Sequence, residues 1–177
     1  RVRWCSGAAK IQVASRMINN SPRFNESRTL VVTGERRSES SNRKRYNQLT
    51  PHTCDRRKGK LSRHVDHWRV VLHWDEEMVW DIIQRHGVVA PVPYRLGFNR
   101  SSCRMCIFNS PTNWATLNEH FPDDVKKIAD YEDEFGLTIS RSQQNVIELT
   151  KGVAPREIDD LEALEQSHTV YRYRRLV

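Results

Sequence analysis

Residues 29–43 read TLVVTGERRSESSNR, and this stretch decides the fold. Its first part, Thr29–Thr33, is rich in β-branched residues and stops at Gly34, a pattern that predicts a buried strand opening into a loop. In open α/β sheets, ligands bind outside the carboxyl ends of such strands. The stretch therefore predicts an α/β fold in which the loop after this strand binds a ligand.

The loop is suited to phosphate or sulfate. Arg36, Arg37 and Arg43 carry planar guanidinium groups that match oxyanions bidentately, and Ser40 adds a hydroxyl donor. Runs of charge usually face water, so a solvated basic loop is the alternative that composition leaves open.

The other elements follow from apolar spacing and from residues that start or stop helices. Residues 8–19 have helical spacing, and Trp68–Trp74 is predicted as a second strand. Asp75 is the predicted N-cap of a helix that ends at Gly87. Between the two strands, residues 44–66 are polar, basic and without periodicity, so they are predicted to form an irregular insertion.

The last third of the chain is predicted to be mostly helical. Pro91–Tyr94 should be extended because a residue before proline avoids the helical region. Helices are predicted over Pro111–His120, over Pro122–Phe135 with Gly136 closing it, and over Pro155–Gln166.

Composition limits the classes of protein that this chain can belong to. Its 177 residues carry a net charge of +7, a size typical of one globular domain. It has no apolar stretch long enough to span a bilayer and no signal-peptide pattern, so a cytoplasmic protein without membrane contact is expected. Residues 34–69 contain eleven Lys and Arg residues but only four Asp and Glu residues, and this excess of positive charge favours a polyanionic partner.

Four stretches, taken in order, resemble the phosphoadenylyl-sulfate (PAPS) reductase family. The loop at 34–43 has the pattern G-x-R-R-x-x-S-x-x-R of the family's arginine loop. The others are RWCS at 3–6 with Lys10 downstream, RVVLHWDEEMVW at 69–80 and GFNRSSCRMCIF at 97–108. The resemblance implies an adenine-nucleotide α-hydrolase-like domain with a Rossmann-like parallel sheet in residues 1–110, followed by a helical extension in 111–177.

The resemblance also implies which residues bind the nucleotide. Arg36, Arg37, Ser40, Arg43 and Lys10 occupy the family's anion-binding positions. The family's phosphate loop, Ser-Gly-Gly-x-Asp-Ser, is absent from this sequence. We therefore expect a domain truncated at its N-terminus, which holds one half of a nucleotide site and is catalytically incomplete. Its one recognisable strand is expected to lack its neighbours.

The cysteines suggest a metal centre. Adenylyl-sulfate reductases of this family hold a [4Fe-4S] cluster with a Cys-Cys pair and a later Cys-x-x-Cys. Here the pair reads Cys5-Ser6, so Cys5, Cys54, Cys103 and Cys106 are the candidate cluster ligands. Zinc, bound by the same cysteines or with His52, His64 or His67, is one alternative. The other is reduced thiols with no metal.

The resemblance implies an enzyme that binds ATP or adenylyl sulfate for sulfur transfer or sulfonucleotide reduction, with a thiol or a cysteine-desulfurase-type donor as partner. The family's C-terminal nucleophilic cysteine is missing, because no cysteine follows Cys106. Cys103 and Cys106 are therefore the candidate catalytic thiols, and Arg100 and Arg104 would favour their thiolate forms. A non-enzymatic alternative is a basic nucleic-acid-binding module stapled by zinc or a cluster, with residues 36–63 and 172–175 contacting phosphates.

Overall fold

The computed structural model describes residues 4–60, 62–140 and 142–169. The chain groups into two compact units that divide between Gly87 and Val88. The domain boundary predicted after residue 110 stays a prediction. The basic tail at 172–175 lies outside the described residues.

The first unit begins with a helical segment, as predicted. It runs through α1 (Trp4–Ser6), a π-helical turn (Gly7–Ile11) and α2 (Gln12–Asn20), so it starts earlier than the apolar spacing indicated. It ends because Ser21 is extended and Pro22 opens a short 3₁₀ turn.

The sheet of the first unit is small and mixed. Strand β1 (Arg28–Thr33) pairs in parallel with β3 (His64–Arg69), from Arg28 opposite His64 to Thr33 opposite Arg69. Strand β2 (Leu49–Pro51) pairs antiparallel with β3, which gives the order β1-β3-β2. The described chain is therefore a mixed α/β protein with a three-stranded sheet.

Two predictions about this region were wrong. The second strand is His64–Arg69 and not Trp68–Trp74, and residues 44–66 are not irregular, because they contain β2 and the start of β3. Polar residues on β3 concealed the strand. Their polar groups are satisfied by side chains distant in sequence, as when Arg57 donates to Asp66 at 2.7 Å.

Strand β1 is only half buried, and this corrects the prediction of a buried strand. Leu30 and Val32 are 51% and 54% exposed, while Val31 faces a core of four buried residues, Ile18, Phe24, Cys54 and Val65. The expectation that the strand would lack its neighbours is wrong for one side, since β3 pairs along its full length, while the other side of β1 is an edge of the sheet in the described residues.

Helix α3 (Glu76–Arg85) confirms the predicted helix start. The Asp75 carboxylate accepts a hydrogen bond from the backbone N–H of Met78 at 2.8 Å, as an N-cap should. The helix ends before Gly87, whose φ of +61° favours glycine.

The second unit is helical. Helices α5 (Pro111–His120) and α6 (Pro122–Phe135) have the predicted bounds, and Gly136 closes α6 with a φ of +60°. Short helices α4 (Val92–Arg95) and α7 (Val146–Thr150) and a terminal α8 (Leu161–His168) complete the described elements. Their core consists of Trp114, Leu117, Val125, Ala129 and Val146.

Two predictions in this unit were wrong. Pro91–Tyr94 is largely helical, because a proline in the first turn of a helix removes an N–H that would have no partner there. The last helix starts at Leu161 and not at Pro155, because the Asp160 side chain caps it by accepting from the N–H of Ala163 at 2.9 Å. Within the described residues, no helix is both long and apolar enough to cross a membrane. The cytoplasmic location stays a prediction.

Candidate functional site

The arginine loop, residues 34–43, begins where β1 ends. Thr33 and Arg69 are opposite each other at the last position of the parallel pair, so the loop lies at the edge where both carboxyl ends meet. The backbone N–H of Arg37 donates to the carbonyl of Leu72 at 2.9 Å, and Leu72 is fully buried. The loop is thereby fixed to the turn that follows β3.

Two of the predicted anion-binding arginines converge on one carboxylate. Arg43 Nη1 lies 2.9 Å from Glu39 Oε2, and Arg36 Nε lies 3.4 Å from Glu39 Oε1. Arg43 Nε also lies 3.7 Å from Glu35 Oε1. Glu35 and Glu39 therefore balance part of the positive charge that the sequence suggested was available to a ligand.

The remaining predicted anion-binding residues play other parts in this structure. The Arg37 guanidinium turns back and donates to the carbonyl of Lys44. The Ser40 hydroxyl accepts from the backbone N–H of Arg43 at 3.3 Å, which shapes the loop. Lys10 is solvent-exposed on the π-helical turn.

Arg36 retains an unused donor. Its side chain is 18% exposed, yet Nη1 is buried and has no hydrogen-bond partner among the described atoms. A buried donor without an acceptor costs roughly 1–3 kcal/mol. An oxyanion at the loop would supply the missing acceptor.

Four side chains at the ends of β1 and β3 and at the start of the arginine loop form a closed hydrogen-bonded ring. Arg69 Nε donates to Glu35 Oε2 at 2.8 Å, and Arg69 Nη2 lies 3.1 Å from His67 Nδ1. His67 Nε2 lies 2.8 Å from Thr33 Oγ1, whose hydroxyl donates to Glu35 Oε2 at 3.3 Å. We call these residues, Thr33, Glu35, His67 and Arg69, the β1–β3 ring.

The donors and acceptors of the four side chains determine where each proton lies in the β1–β3 ring. A guanidinium can only donate, so His67 Nδ1 must accept from Arg69. The neutral imidazole then carries its proton on Nε2 and donates it to Thr33. The ring therefore holds His67 neutral and in one tautomer.

The electrostatic surroundings act in the same direction. Burial, and then the positive charge of Arg69, lower the pKa of His67, while Glu35 partly opposes them. Burial and Arg69 also lower the pKa of His52, whose ring meets that of His67 edge-on with centroids 5.6 Å apart. The lowered pKa values favour the neutral forms of both histidines.

The β1–β3 ring was not apparent from the sequence. His67 and Arg69 are two residues apart, so on a strand they face the same side. The spacing of His67 and Arg69 becomes informative only once residues 64–69 are known to form a strand. Glu35 follows Gly34 directly and gave no signal of its own.

The three histidines proposed as zinc ligands have other partners. His52 and His67 lie together, whereas His64 Nε2 lies 3.1 Å from Asp66 Oδ2. Asp66 in turn pairs with Arg57, which also contacts Asp55 at 2.7 Å. Among the described residues, no group of three or more His, Cys, Asp or Glu side chains could hold a metal ion.

The four cysteines lie in different surroundings. Cys54 is 1% exposed, packs in the core of the first unit and donates from Sγ to the carbonyl of Ser15 at 3.8 Å. Cys5 is half-buried, Cys106 is buried and Cys103 is exposed. As arranged here, Cys54 acts as a packed small residue. The [4Fe-4S] cluster and the zinc ion stay predictions.

Cys103 lines a cavity of about 230 Å³ in the second unit, along with Arg100 and Arg104. Arg104 is committed elsewhere, because it donates to Asp124 at 2.6 Å and stacks on the ring of Phe121. Arg100 lies over the ring of Phe108. The effect of these arginines on the thiols stays a prediction.

A family model matches the first part of the chain. The model described as phosphoadenosine phosphosulfate reductase domain matches residues 1–109. The chain belongs to this family. The resemblance read from the four stretches is confirmed, and the three-stranded sheet is consistent with such a domain. Membership of the phosphoadenosine phosphosulfate reductase family relates the chain in general terms to sulfonucleotides.

Two curated relatives match the chain, and both are described as uncharacterized. A 37.8 kDa protein of Escherichia phage 186 is 28% identical over 65 residues, which are 37% of this chain and 20% of the relative. A protein of Methanocaldococcus jannaschii is 25% identical over 134 residues, which are 76% of this chain and 30% of the relative. The chain thus spans less than a third of these relatives. No solved structure matches it.

Proposed function

We propose that the arginine loop binds the phosphate or sulfate of an adenine nucleotide, ATP or adenylyl sulfate. The observation that carries this proposal is the buried Nη1 donor of Arg36, which has no acceptor among the described atoms and lies on the family's anion-binding loop. The parent protein would use the bound nucleotide for sulfur transfer or sulfonucleotide reduction. Its domain would have the adenine-nucleotide α-hydrolase-like fold.

The loop is preorganised for this role. Glu39 holds the guanidiniums of Arg36 and Arg43 on one side of the loop before any ligand arrives. Groups held in place lose less conformational freedom on binding. A phosphate or sulfate oxygen would accept from Arg36 Nη1 and would compete with Glu39 for Arg43.

We assign the sulfur chemistry of the parent protein to Cys103 in preference to Cys106. Cys103 is exposed at a cavity, whereas Cys106 is buried. A thiol must reach its reaction partner, the external thiol or desulfurase-type donor, in order to exchange sulfur with it. The cluster or zinc ion on Cys5, Cys54, Cys103 and Cys106 is proposed separately, and iron, sulfide and zinc assays on anaerobically purified protein test it.

Calorimetric titration with ATP and with adenylyl sulfate tests the nucleotide site. R36A and R43A each remove a charge-assisted donor, so the dissociation constant should rise about tenfold or more, as expected for a loss of roughly 1.5–3 kcal/mol. R45A is the matched control, because Arg45 is an exposed arginine just outside the loop. Unchanged affinity in both loop variants would refute the assignment.

A second candidate function rests on a group of exposed cations. Lys44, Arg45, Arg56, Lys58 and Lys60 all face solvent, as a nucleic-acid-binding surface requires. Two other residues of the proposed surface are less available, since Arg63 is 6% exposed and Arg57 is paired with two carboxylates. Steeply salt-dependent DNA or RNA binding that is lost in a K58A/K60A variant would support this function.

A further inference from the structure

The β1–β3 ring adjoins the arginine loop, and the two share one carboxylate. Glu35 Oε2 accepts from Arg69 and Thr33, while Glu35 Oε1 lies 3.7 Å from Arg43 Nε. His67 belongs to the ring and lies 3.7 Å from Glu35 Oε2. A change at His67 can therefore reach Arg43 through a single side chain.

We propose that His67 is a positioning residue that couples proton uptake to oxyanion binding at the arginine loop. The inference deepens the proposed function and rests on it. The ligand class is an oxyanion, and sulfate is its test member because sulfate keeps its charge while His67 titrates.

Protonation of His67 reverses one contact of the ring and strengthens another. A proton on Nδ1 turns the acceptor of Arg69 Nη2 into a donor, so two cationic donors face each other at 3.1 Å. The Nε2–H of the imidazolium attracts Glu35, whose carboxylate is already 3.7 Å away. Glu35 then moves toward His67 and away from Arg43.

Both changes favour an incoming anion. Arg43 loses one of its two carboxylate neighbours and keeps Glu39. The edge of the sheet also gains one positive charge. By linkage, a bound oxyanion makes proton uptake by His67 more favourable, because coupling between two binding events is reciprocal.

The groups that face His67 come from every element packed against it. Arg69 disfavours the imidazolium, Glu35 favours it, and His52 adds repulsion when charged. Thr33 and Thr50 do not titrate in this range; Thr50 is opposite His67 in the register of β2 and β3. His67 therefore titrates against a fixed arginine and a movable carboxylate.

His67→Gln removes the titrating group and keeps the hydrogen bonds of the β1–β3 ring. Its amide oxygen can accept from Arg69 and its amide nitrogen can donate to Thr33, so glutamine imitates the neutral tautomer without titrating. His86→Gln is the matched control, since His86 is an exposed histidine just after α3 in the same unit.

The experiment measures binding of inorganic sulfate to the chain by NMR, from about pH 8 to about pH 5, the range in which histidine titrates. Sulfate stays a dianion throughout. Wild type and H86Q should bind it at least about fivefold more tightly at the acid end, because one positive charge is added at the edge of the sheet beside the loop. H67Q should show a clearly shallower profile, because only His52 remains to titrate beside the ring.

A second readout uses the imidazole signal of His67 in the wild-type chain. Added sulfate should move its titration midpoint to higher pH, as linkage requires. Sulfate binding with the same pH slope in H67Q as in wild type, or a midpoint that sulfate does not move, would overturn the inference and leave the nucleotide site standing. Absence of sulfate and nucleotide binding at every pH would overturn the proposed function as well.

Discussion

Arg69 donates from Nε to Glu35 at 2.8 Å and thereby joins the end of β3 to the arginine loop. The same guanidinium donates from Nη1 to the carbonyl of Asn47 at 2.9 Å and to the Thr50 hydroxyl at 3.2 Å, and it lies over the ring of Tyr46. One side chain thus ties together β3, the arginine loop and the segment that leads into β2.

Replacing Arg69 with lysine should weaken this junction although the charge is kept. An ammonium group cannot reproduce the planar fork that reaches Glu35, His67 and Asn47 at once. We expect R69K to lower the free energy of unfolding by about 2 kcal/mol, the scale of lost charge-assisted hydrogen bonds. Urea denaturation measures it, with R45K at an exposed position as control. Equal losses in both variants would contradict the role of Arg69.

Arg63 should be more important for stability than its neighbour Arg56. Arg63 is 6% exposed and donates to Asn19 Oδ1 at 2.6 Å, to the Asn19 carbonyl at 3.1 Å and to Asn25 Oδ1 at 3.2 Å. R63A removes three hydrogen bonds made by a buried guanidinium, so it should cost about 3 kcal/mol.

Exposed Arg56 makes only local contacts with the carbonyls of Thr53 and Asp55, so R56A should cost less than about 0.5 kcal/mol in the same urea experiment. A ranking in which R56A is the more damaging variant would show that the contacts of Arg63 do not hold α2 to the start of β3.

The free energy of unfolding should fall as the pH drops through the titration range of histidine. The fold lowers the pKa of His67 and of His52 below the ordinary value of histidine, so the unfolded chain binds more protons than the native chain in that window. The free energy of unfolding should therefore decrease from about pH 8 to about pH 5.

H67Q should lose less stability than wild type over this range, because one of the two histidines no longer titrates. H86Q serves as control and should behave as wild type does. Parallel pH profiles for wild type and H67Q would mean that the ring does not hold His67 neutral.

Thiol labelling should rank the cysteines by burial. Exposed Cys103 should react within seconds to minutes with an aromatic disulfide reagent, whereas Cys54 at 1% and Cys106 at 8% exposure should react only on unfolding. C103S should remove the fast phase selectively. A fast phase that survives in C103S and disappears in C54S would place Cys54 at the surface.

The sequence predicted the elements that are defined by local signals. Asp75 capped the expected helix, and the helices that start at Pro111 and Pro122 have the expected bounds. In each case the deciding group lies within a few residues of the element. The carboxyl end of β1 was located by Gly34 in the same way.

The parts that the sequence did not predict depend on distant partners or on the conformation of a loop. β3 was missed because Asp66 and His67 look unfavourable in a strand until Arg57 and Thr33 satisfy them. Arg36 and Arg43 were identified as cations, but their pairing with Glu39 was missed although it is local in sequence, because it depends on the conformation of the loop.

The most direct test of the nucleotide site proposed at the arginine loop is calorimetric binding of adenylyl sulfate to the R36M variant. Methionine keeps much of the volume of the Arg36 side chain and removes the buried donor that lacks an acceptor. We expect an affinity loss of about tenfold or more, against no loss in R45M, with the melting temperatures of both variants close to that of wild type. Wild-type affinity in a folded R36M protein would contradict the claim that this loop receives the nucleotide's anion.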